Sequence, residues 1–142
     1  MAARIQVVFD AADPRRLGQF WAEALGYVQD PPPPGFADWD EALDAWGVPP
    51  EDRNRAYALV DPDGHGPRLF FQRVPEPKTA KNRVHLDVNA AAGTADGERK
   101  AAVRARAAEL EALGASVLYE RDELGSFWVT MRDPEGNEFC VQ

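Results

Sequence analysis

The stretch Arg83-Val84-His85-Leu86-Asp87-Val88 has the residue alternation of a half-buried β-strand, and the rest of the chain can be organised around it. Its apolar residues alternate with His85 and Asp87, so one face of the strand is apolar and the other is polar. The N-terminal stretch Ile5-Gln6-Val7-Val8-Phe9-Asp10 alternates in a similar way. Because the order of elements after each of these strands also repeats, the sequence predicts two copies of one structural unit.

The size and composition of the chain indicate one globular domain. Its 142 residues are enough for a real hydrophobic core, and 44% of them are hydrophobic. A formal net charge of −8 argues against nucleic acid or an anionic membrane as a partner. We interpret this charge as a contribution to solubility rather than as attraction for a cationic ligand, because no single acidic run stands out.

The sequence also carries signals about the compartment. No apolar run is long enough for a transmembrane helix, and the residues before Ile5 do not form the apolar region of a signal peptide. A cytoplasmic location is therefore expected. Cys140 is the only cysteine, which excludes an internal disulfide and a four-cysteine zinc site and agrees with a reducing compartment.

The first half of the chain is predicted to contain a strand, a helix and three further strands. Asp13 is a good N-cap, Pro14 a good first helical residue and Gly26 a good helix end. Prolines and an acidic, aromatic segment with Trp39 and Trp46 then interrupt the pattern, and this segment can form a short helix. The predicted elements are strand 5–10, helix 14–25, and strands 27–29, 56–60 and 69–72.

The second half is predicted to have the same order of elements. Its helix is rich in Ala, Arg and Glu, and the apolar stripe consists of Val103, Ala107, Leu110 and Leu113. The predicted elements are strand 83–88, helix 98–113, and strands 117–119, 127–131 and 138–141.

Three local matches support an internal repeat. They are Ala24-Leu25-Gly26 with Ala112-Leu113-Gly114, Asp61-Pro62-Asp63-Gly64 with Asp133-Pro134-Glu135-Gly136, and Gln6 with His85. We therefore expect a single domain over residues 1–142. It would contain a first βαβββ module at 4–74 with an insertion at 31–54, a linker at 75–82, and a second βαβββ module at 83–142.

This order of elements, with an Asp-Pro-x-Gly turn before the last strand of each half, resembles the vicinal oxygen chelate superfamily. That superfamily includes glyoxalase I, bleomycin-resistance and fosfomycin-resistance proteins, and extradiol dioxygenases. More narrowly, segments 71–78, 81–87 and 133–140 resemble the actinobacterial glyoxalase-like domain subgroup. The resemblance implies an α+β fold in which two tandem βαβββ modules form an open, cupped mixed β-barrel around a cavity, and it implies a homodimer.

The resemblance also implies positions for a divalent metal, which this superfamily often holds on the first and last strands of each module. The first-strand positions are Gln6 and His85, and the last strand of the second half supplies Cys140, where glyoxalase I has a glutamate. In the first half the position falls on Phe70, or on Gln72 if the register shifts by two residues.

Two cofactor states are therefore expected. One is a single divalent metal, zinc, nickel, iron or manganese, on Gln6, His85, Gln72 and Cys140, and the other is no metal. No carboxylate falls at either last-strand position. Glu138 lies on the same strand face as Cys140 by the period of two and is a weak candidate for the missing catalytic base.

The candidate residues also have structural interpretations. His85 can be a hydrogen-bonded pocket residue, and Cys140 can be a small buried hydrophobe. Trp39 and Trp46 can line a binding cavity or pack the insertion onto the sheet. Arg132 can bind an anionic group of a ligand or form a surface salt bridge. The predicted ligand-pocket residues are Trp39, Trp46, Phe70, Gln72, His85, Trp128 and Arg132.

Several functions fit these observations. The first is binding of a small aromatic or oxygenated molecule in the cavity between the modules, with no reaction assigned. The second is a metal-dependent lyase, isomerase or dioxygenase of the glyoxalase type with His85 and Gln6 as metal ligands. Others are an antibiotic-sequestering binding protein without catalysis and an accessory domain with no ligand. The sequence does not decide whether the protein is an enzyme.

Overall fold

The computed structural model describes all residues from 1 to 142. The chain forms two compact units, Met1–Pro77 and Lys78–Gln142. Each unit has a four-stranded mixed β-sheet against which one longer helix packs. The fold class is therefore α+β, with two open sheets of the βαβββ type, which confirms the prediction of a repeated module.

The first unit has the strand order β1-β4-β3-β2, and β1 runs parallel to β4 while the other neighbours are antiparallel. Its elements are β1 (Gln6–Ala11), α1 (Pro14–Leu25), β2 (Val28–Gln29), α2 (Trp39–Ala45), β3 (Ala56–Val60) and β4 (Arg68–Arg73).

Helix α1 begins and ends at the residues that its capping signals predict. The Asp13 carboxylate accepts a hydrogen bond from the Arg16 amide at 3.1 Å, and Gly26 ends the helix with φ = 70°. Phe20 and Trp21 are buried as the helix packs on β3 and β4. Full burial of side chains of this size stabilises the fold by about 1.5–3 kcal/mol each.

The second unit has the strand order β5-β8-β7-β6, again with one parallel pair, β5 and β8. Its elements are β5 (Asp87–Val88), α3 (Arg99–Ala112), β6 (Ser116–Glu123), β7 (Ser126–Arg132) and β8 (Glu138–Val141). None of the helices in either unit is both long enough and apolar enough to span a membrane.

Helix α3 packs on β6, β7 and β8 through Val103, Ala107 and Leu110, which are all buried. The fourth residue of the predicted stripe, Leu113, is 46% exposed. The prediction was wrong there because α3 ends at Ala112, so the helical period no longer sets the direction of the next side chain.

The first strand of this unit is much shorter than predicted, because only Asp87–Val88 pairs with β8. The backbone bends at residues 83 and 84, and residues 83–85 are exposed and belong to no strand. The Asn82 side chain takes their place: its amide nitrogen donates to the Glu138 carbonyl at 3.0 Å, and its oxygen accepts from the Glu138 amide at 2.8 Å. One side chain thus satisfies backbone groups that a longer strand would have paired.

The repeat extends to side-chain hydrogen bonds. Near the end of β4, Gln72 donates its amide to Asp10 on β1 at 2.8 Å. In the second unit, Gln142 donates in the same way to Asn89 at 2.9 Å. Equivalent residues of the two sheets therefore make equivalent bonds, although the two halves share few identical residues.

Candidate functional site

The sheet of the second unit carries a row of polar side chains on the face opposite α3. Asp87 pairs with Cys140, Cys140 with Thr130, and Thr130 with Tyr119, so the row crosses all four strands. Residues of opposite parity, such as Val129, point to the other face and are buried there. The row lies in a pocket of about 400 Å³. This volume is within the usual range for small-molecule sites.

Three residues that can ligate a metal lie together in this pocket. The ligand atoms of His85, Asp87 and Cys140 all lie within 4.8 Å of one another. His85 Nε2 is 3.4 Å from Asp87 Oδ1. His85 lies in the bent segment before β5, Asp87 comes two residues later, and Cys140 pairs with Asp87 from β8. The fold thus brings together two of the predicted metal ligands, His85 and Cys140, and adds a carboxylate.

The donor set of this cluster suits zinc, because imidazole nitrogen, carboxylate oxygen and thiolate sulfur are its usual ligands. Ligand atoms on a tetrahedral zinc ion lie roughly 3.3–3.8 Å apart. The His85–Asp87 separation of 3.4 Å meets this requirement. The ligand atoms of the cluster are up to 4.8 Å apart, so some side chains would have to move closer together to bind the ion. Three protein ligands would leave a fourth position open.

Cys140 is half-buried and holds its proton tightly. Burial raises the pKa of its thiol, and the neighbouring Asp87 carboxylate raises it further, while a hydrogen-bonding contact with Thr130 acts in the opposite direction. The Thr130 Oγ1 to Cys140 Sγ distance is 3.5 Å. The side chain is therefore a thiol near neutral pH, and metal binding there would have to displace its proton.

Glu138 lines the same pocket, two residues before Cys140 on β8. Lys81 Nζ lies 2.5 Å from Glu138 Oε2, and this hydrogen bond is the main reason that the pKa of the Glu138 carboxyl lies below its ordinary value. A carboxylate with a lowered pKa is a weaker proton acceptor. The geometry therefore gives Glu138 a charge-pairing role beside the pocket.

In the first unit, the predicted metal ligand Gln6 is hydrogen-bonded to the guanidinium of Arg68. Arg68 Nη1 donates to Gln6 Oε1 at 2.7 Å, and the same guanidinium holds Asp30 through two hydrogen bonds. Gln72 lies four register positions farther along the β1–β4 pair and donates to Asp10. At about 3.3 Å per residue, the two glutamines are about 13 Å apart along the strands and do not share a ligand position.

The register also relates Phe70 to Cys140. Phe70 pairs with β1 on one side and β3 on the other, as Cys140 pairs with β5 and β7. Phe70, rather than Gln72, is thus the counterpart of Cys140 in the first sheet. The Arg68 guanidinium lies 5.4 Å from the centre of the Phe70 ring.

The tryptophans of the insertion pack on each other. The ring centres of Trp39 and Trp46 are 6.4 Å apart, and Phe36 packs edge-on against Trp46 at 5.8 Å. Trp39 Nε1 donates to the Asp30 carbonyl at 2.6 Å, while Trp46 is 53% exposed. The aromatic side chains of the insertion therefore pack mainly against one another.

Trp128 and Arg132, the other predicted pocket residues, lie on β7 with the same parity as Thr130. Trp128 lines the 400 Å³ pocket together with His85. Arg132 lines a neighbouring pocket of about 300 Å³. The first unit also has a pocket of about 520 Å³ around the turn that holds Asp61 and His65, but none of the predicted ligand-pocket residues lines it.

Sequence reasoning missed three residues of the polar row, Asp87, Thr130 and Tyr119. For Asp87 the signal was present, since strand alternation puts it on the same face as His85. Thr130 had a weaker signal, two residues from Trp128. Tyr119 comes directly after an irregularity in the β6–β7 pairing, and this bulge shifts the parity, so alternation along β6 alone could not assign its face.

Solved structures with the same fold include resistance proteins and enzymes. FosX, a fosfomycin resistance protein from Mesorhizobium loti, has a TM-score of 0.64 and 10% identity over 100% of this chain and 91% of that one. FosX from Listeria monocytogenes, in complex with Mn(II) and a dihydroxypropylphosphonic acid, has a TM-score of 0.61 and 10% identity over 100% and 90% of the two chains.

A glyoxalase/bleomycin resistance protein/dioxygenase family enzyme from Burkholderia phytofirmans PsJN has a TM-score of 0.56 and 12% identity over 97% of this chain and 94% of that chain. Identities this low show a shared fold only. A sequence search of the curated proteins found no match.

A family match at the level of sequence agrees with the fold. Residues 6–142 match the family described as glyoxalase-like domain, which is nearly the whole chain. The match, the two βαβββ units and the solved structures of the same fold lead to one conclusion. This chain belongs to the glyoxalase-like domain family.

Proposed function

We propose that the protein binds a small aromatic or oxygenated organic molecule in the 400 Å³ pocket on the sheet of the second unit. The observation that carries this proposal is the combination of two aromatic side chains, Trp128 and Tyr119, with the polar row in one pocket. Small-molecule sites typically combine flat apolar surface with a few converging polar groups.

The chemistry of the lining suits an oxygenated aromatic ring. Trp128 and Tyr119 supply π-faces for a planar ligand. His85, Thr130 and Gln142 supply hydrogen-bond donors and acceptors within the same pocket. We propose binding and assign no reaction.

A pair of neighbouring residues on β7 tests this proposal. Trp128 lines the pocket, whereas Phe127 lies under the Arg104 guanidinium at 4.9 Å. Saturation-transfer NMR with benzamide and catechol is expected to detect binding to the wild type and to Phe127→Leu, and much weaker binding to Trp128→Leu. Equal binding by the two variants, or no binding of either probe to the wild type, would reject the pocket as the site.

A second candidate function, metal-dependent chemistry, is favoured by the His85, Asp87 and Cys140 cluster. Bound there, a divalent metal would act as a Lewis acid on a ligand oxygen. The Mn(II) in the Listeria FosX structure supports the capacity of this fold to hold a metal. The predicted set of Gln6, His85, Gln72 and Cys140 is thereby narrowed in our proposal to its second-unit members plus Asp87.

The two histidines of the chain offer a matched test of the metal. His85 belongs to the cluster, whereas His65 lies exposed in the turn after Asp61. We expect titration with zinc to give about one bound equivalent in the wild type and in His65→Ala, and none in His85→Ala. Loss of zinc in both variants, or in neither, would mean that the cluster does not bind the ion.

Assembly and location complete the proposal. We propose a cytoplasmic location, supported by the acidic composition and the single cysteine. We also propose a homodimer, supported by the family. Sedimentation velocity at micromolar concentration is expected to give one species of twice the mass of the chain. A species of 15.7 kDa alone would exclude the homodimer under those conditions.

A further inference from the structure

On the basis of the proposed function, we infer that the ligand is an organic anion, with a carboxylate or a similar group bound at a cluster formed by Lys78, Lys81 and Arg132. This basic cluster lines the pocket of about 300 Å³ next to the proposed ligand pocket. Both pockets are lined by Lys81 and Glu138. A ligand with its ring beside Trp128 and its charged group over Arg132 would occupy both.

The orientation of Arg132 results from its strand. Arg132, Thr130 and Trp128 share the parity that points away from α3, and Arg132 pairs with Glu138 on β8. The basic cluster therefore lies on the same sheet face as the polar row, two residues beyond Thr130 along β7. Side chains on one face of a strand repeat about every 7 Å. This spacing is comparable to the length of a substituted aromatic ring.

The charges of the side chains that line this pocket favour the binding of an anion. Three cationic side chains line this pocket with two carboxylates, Glu135 and Glu138. Lys81 is ion-paired with Glu138. Arg132 pairs with Glu138 in the β7–β8 register, and Glu138 lines both pockets, so Arg132 is adjacent to the ligand pocket. A guanidinium matches the two oxygens of a carboxylate geometrically.

The local sign of charge is opposite to that of the whole chain, whose formal net charge is −8. An acidic surface repels organic anions in general, so a concentration of cations beside a pocket is a selective feature. The cluster is also anchored. Lys81 precedes Asn82, whose side chain is hydrogen-bonded to both the amide and the carbonyl of Glu138. This anchor holds Lys81 at the boundary between the two pockets.

Benzoate and benzamide provide the test, because they have nearly the same size and shape and differ in charge. Calorimetric or NMR titration should give a dissociation constant about fivefold lower for benzoate than for benzamide, as expected for one exposed ion pair. Raising the ionic strength from about 0.01 M to about 1 M should abolish this preference, because the Debye length then shrinks from about 30 Å to about 3 Å.

Two substitutions should move the preference in opposite directions. Arg132→Gln should reduce the preference for benzoate over benzamide to near unity. Glu138→Gln removes the carboxylate that competes for Lys81, so benzoate should bind more tightly. Arg99→Gln is the matched control, because it removes the same charge from an exposed position on α3 and should keep the wild-type preference. Thermal unfolding would verify that each variant is folded.

The outcomes separate this inference from the proposed function. If benzamide binds at Trp128 but benzoate binds no better, or if Arg132→Gln keeps the preference, the anion site is rejected and the aromatic pocket remains. If neither probe binds to the wild type, the proposed function fails and this inference fails with it. If Arg99→Gln loses the preference as well, the effect comes from net charge, and the basic cluster is not a specific site.

Discussion

At the scale of single residues, backbone conformation and close contacts make demands that composition does not reveal. Leu124 is the only residue other than glycine with a positive φ, at 51°, and it is fully exposed at the tip of the β6–β7 hairpin. The next residue, Gly125, has φ = 79°. Two positive φ values in a two-residue loop define the turn type that favours Asn-Gly. Leu124 is therefore a strained residue with no burial to compensate for the strain.

Replacing Leu124 with asparagine should stabilise the protein. Asparagine tolerates the left-handed conformation better than leucine, so we expect the free energy of unfolding to rise by about 0.5–1 kcal/mol in urea denaturation. Leu124→Val is the control, because a β-branched side chain fits this conformation less well and should lower stability. A gain in stability from valine would indicate that removing exposed leucine, rather than relief of strain, is responsible.

Gly18 should resist the substitution that helix propensity recommends. It lies inside α1, where alanine is normally better than glycine by about 1 kcal/mol. A Cβ atom at this position would lie 2.2 Å from Cδ1 of Tyr57, so Gly18→Ala should instead destabilise by about 1–3 kcal/mol. Gly97→Ala is the matched control, because a Cβ there meets nothing within 4 Å. Thermal unfolding of the two variants should therefore separate them, and equal melting temperatures would contradict the close contact.

At the scale of elements, single side chains form hydrogen bonds with backbone groups that the strands and helices leave without partners. The bent segment before β5 and the start of β8 are joined through Asn82, which also donates to the Val84 carbonyl at 2.8 Å. These bonds hold the segment that carries His85. The N-terminus of α1 is held similarly by Asp13, which accepts from the Arg16 amide and from the Asn54 side chain.

Removing the Asn82 side chain should loosen the start of β8. Asn82→Ala leaves backbone groups of Glu138 without their partners, so we expect a loss of about 1–3 kcal/mol and faster hydrogen exchange at the Glu138 amide. Asn82→Asp keeps the acceptor for that amide and loses the donor. It should therefore also be destabilised while keeping the Glu138 amide protected. Unchanged exchange in the alanine variant would show that Asn82 is not the anchor.

Asp13 should contribute a pH-dependent part of the stability. A hydrogen bond from Asn54, and next in size one from the Arg16 amide, lowers the pKa of Asp13 in the folded protein. A lowered folded-state pKa contributes stability above the ordinary value of about 3.9, and this contribution is lost as the pH falls through the lower folded value. Urea denaturation at pH 7 should show Asp13→Ala destabilised by about 1 kcal/mol, the typical value of an N-cap.

The difference between wild type and Asp13→Ala should then shrink as the pH falls below about 4. Asp13→Asn is the control, because asparagine caps helices well without titrating in this range. A difference that stays constant down to the acid limit would mean that the charge of Asp13 does not matter, and that only its size or polarity does.

At the scale of the whole molecule, the net charge is expected to determine solubility. The formal net charge of −8 at pH 7 and the isoelectric point near 4.7 predict a protein that repels itself at neutral pH. We expect a solubility minimum close to pH 4.7, measured by turbidity after dialysis across a pH series, and recovery of clear solution on return to pH 7. A minimum near neutral pH would point to association through apolar surface instead.

Much of the fold could be predicted from the sequence because its determinants are local. The caps of α1, the four residues of β8 and the repeated Asp-Pro-x-Gly turns are all set by nearest neighbours. The short length of β5 could not be predicted in this way. Alternation in segment 83–88 indicates a strand, but Asn82 pairs with Glu138, 56 positions away, and takes over the bonding that the strand would have provided.

The features of the candidate site can also be divided into those predicted from the sequence and those that depend on the tertiary structure. By itself, the sequence determined that two βαβββ units exist and that Cys140 lies on the last strand. Alternation with a period of two also predicted that His85 and Asp87 share a strand face, although His85 precedes β5 in the structure. Only the tertiary structure decided that these three meet within 4.8 Å, that Arg68 binds Gln6, and that Lys81 binds Glu138. Those pairings depend on the register between strands distant in sequence, and register is set by the packing of the whole sheet.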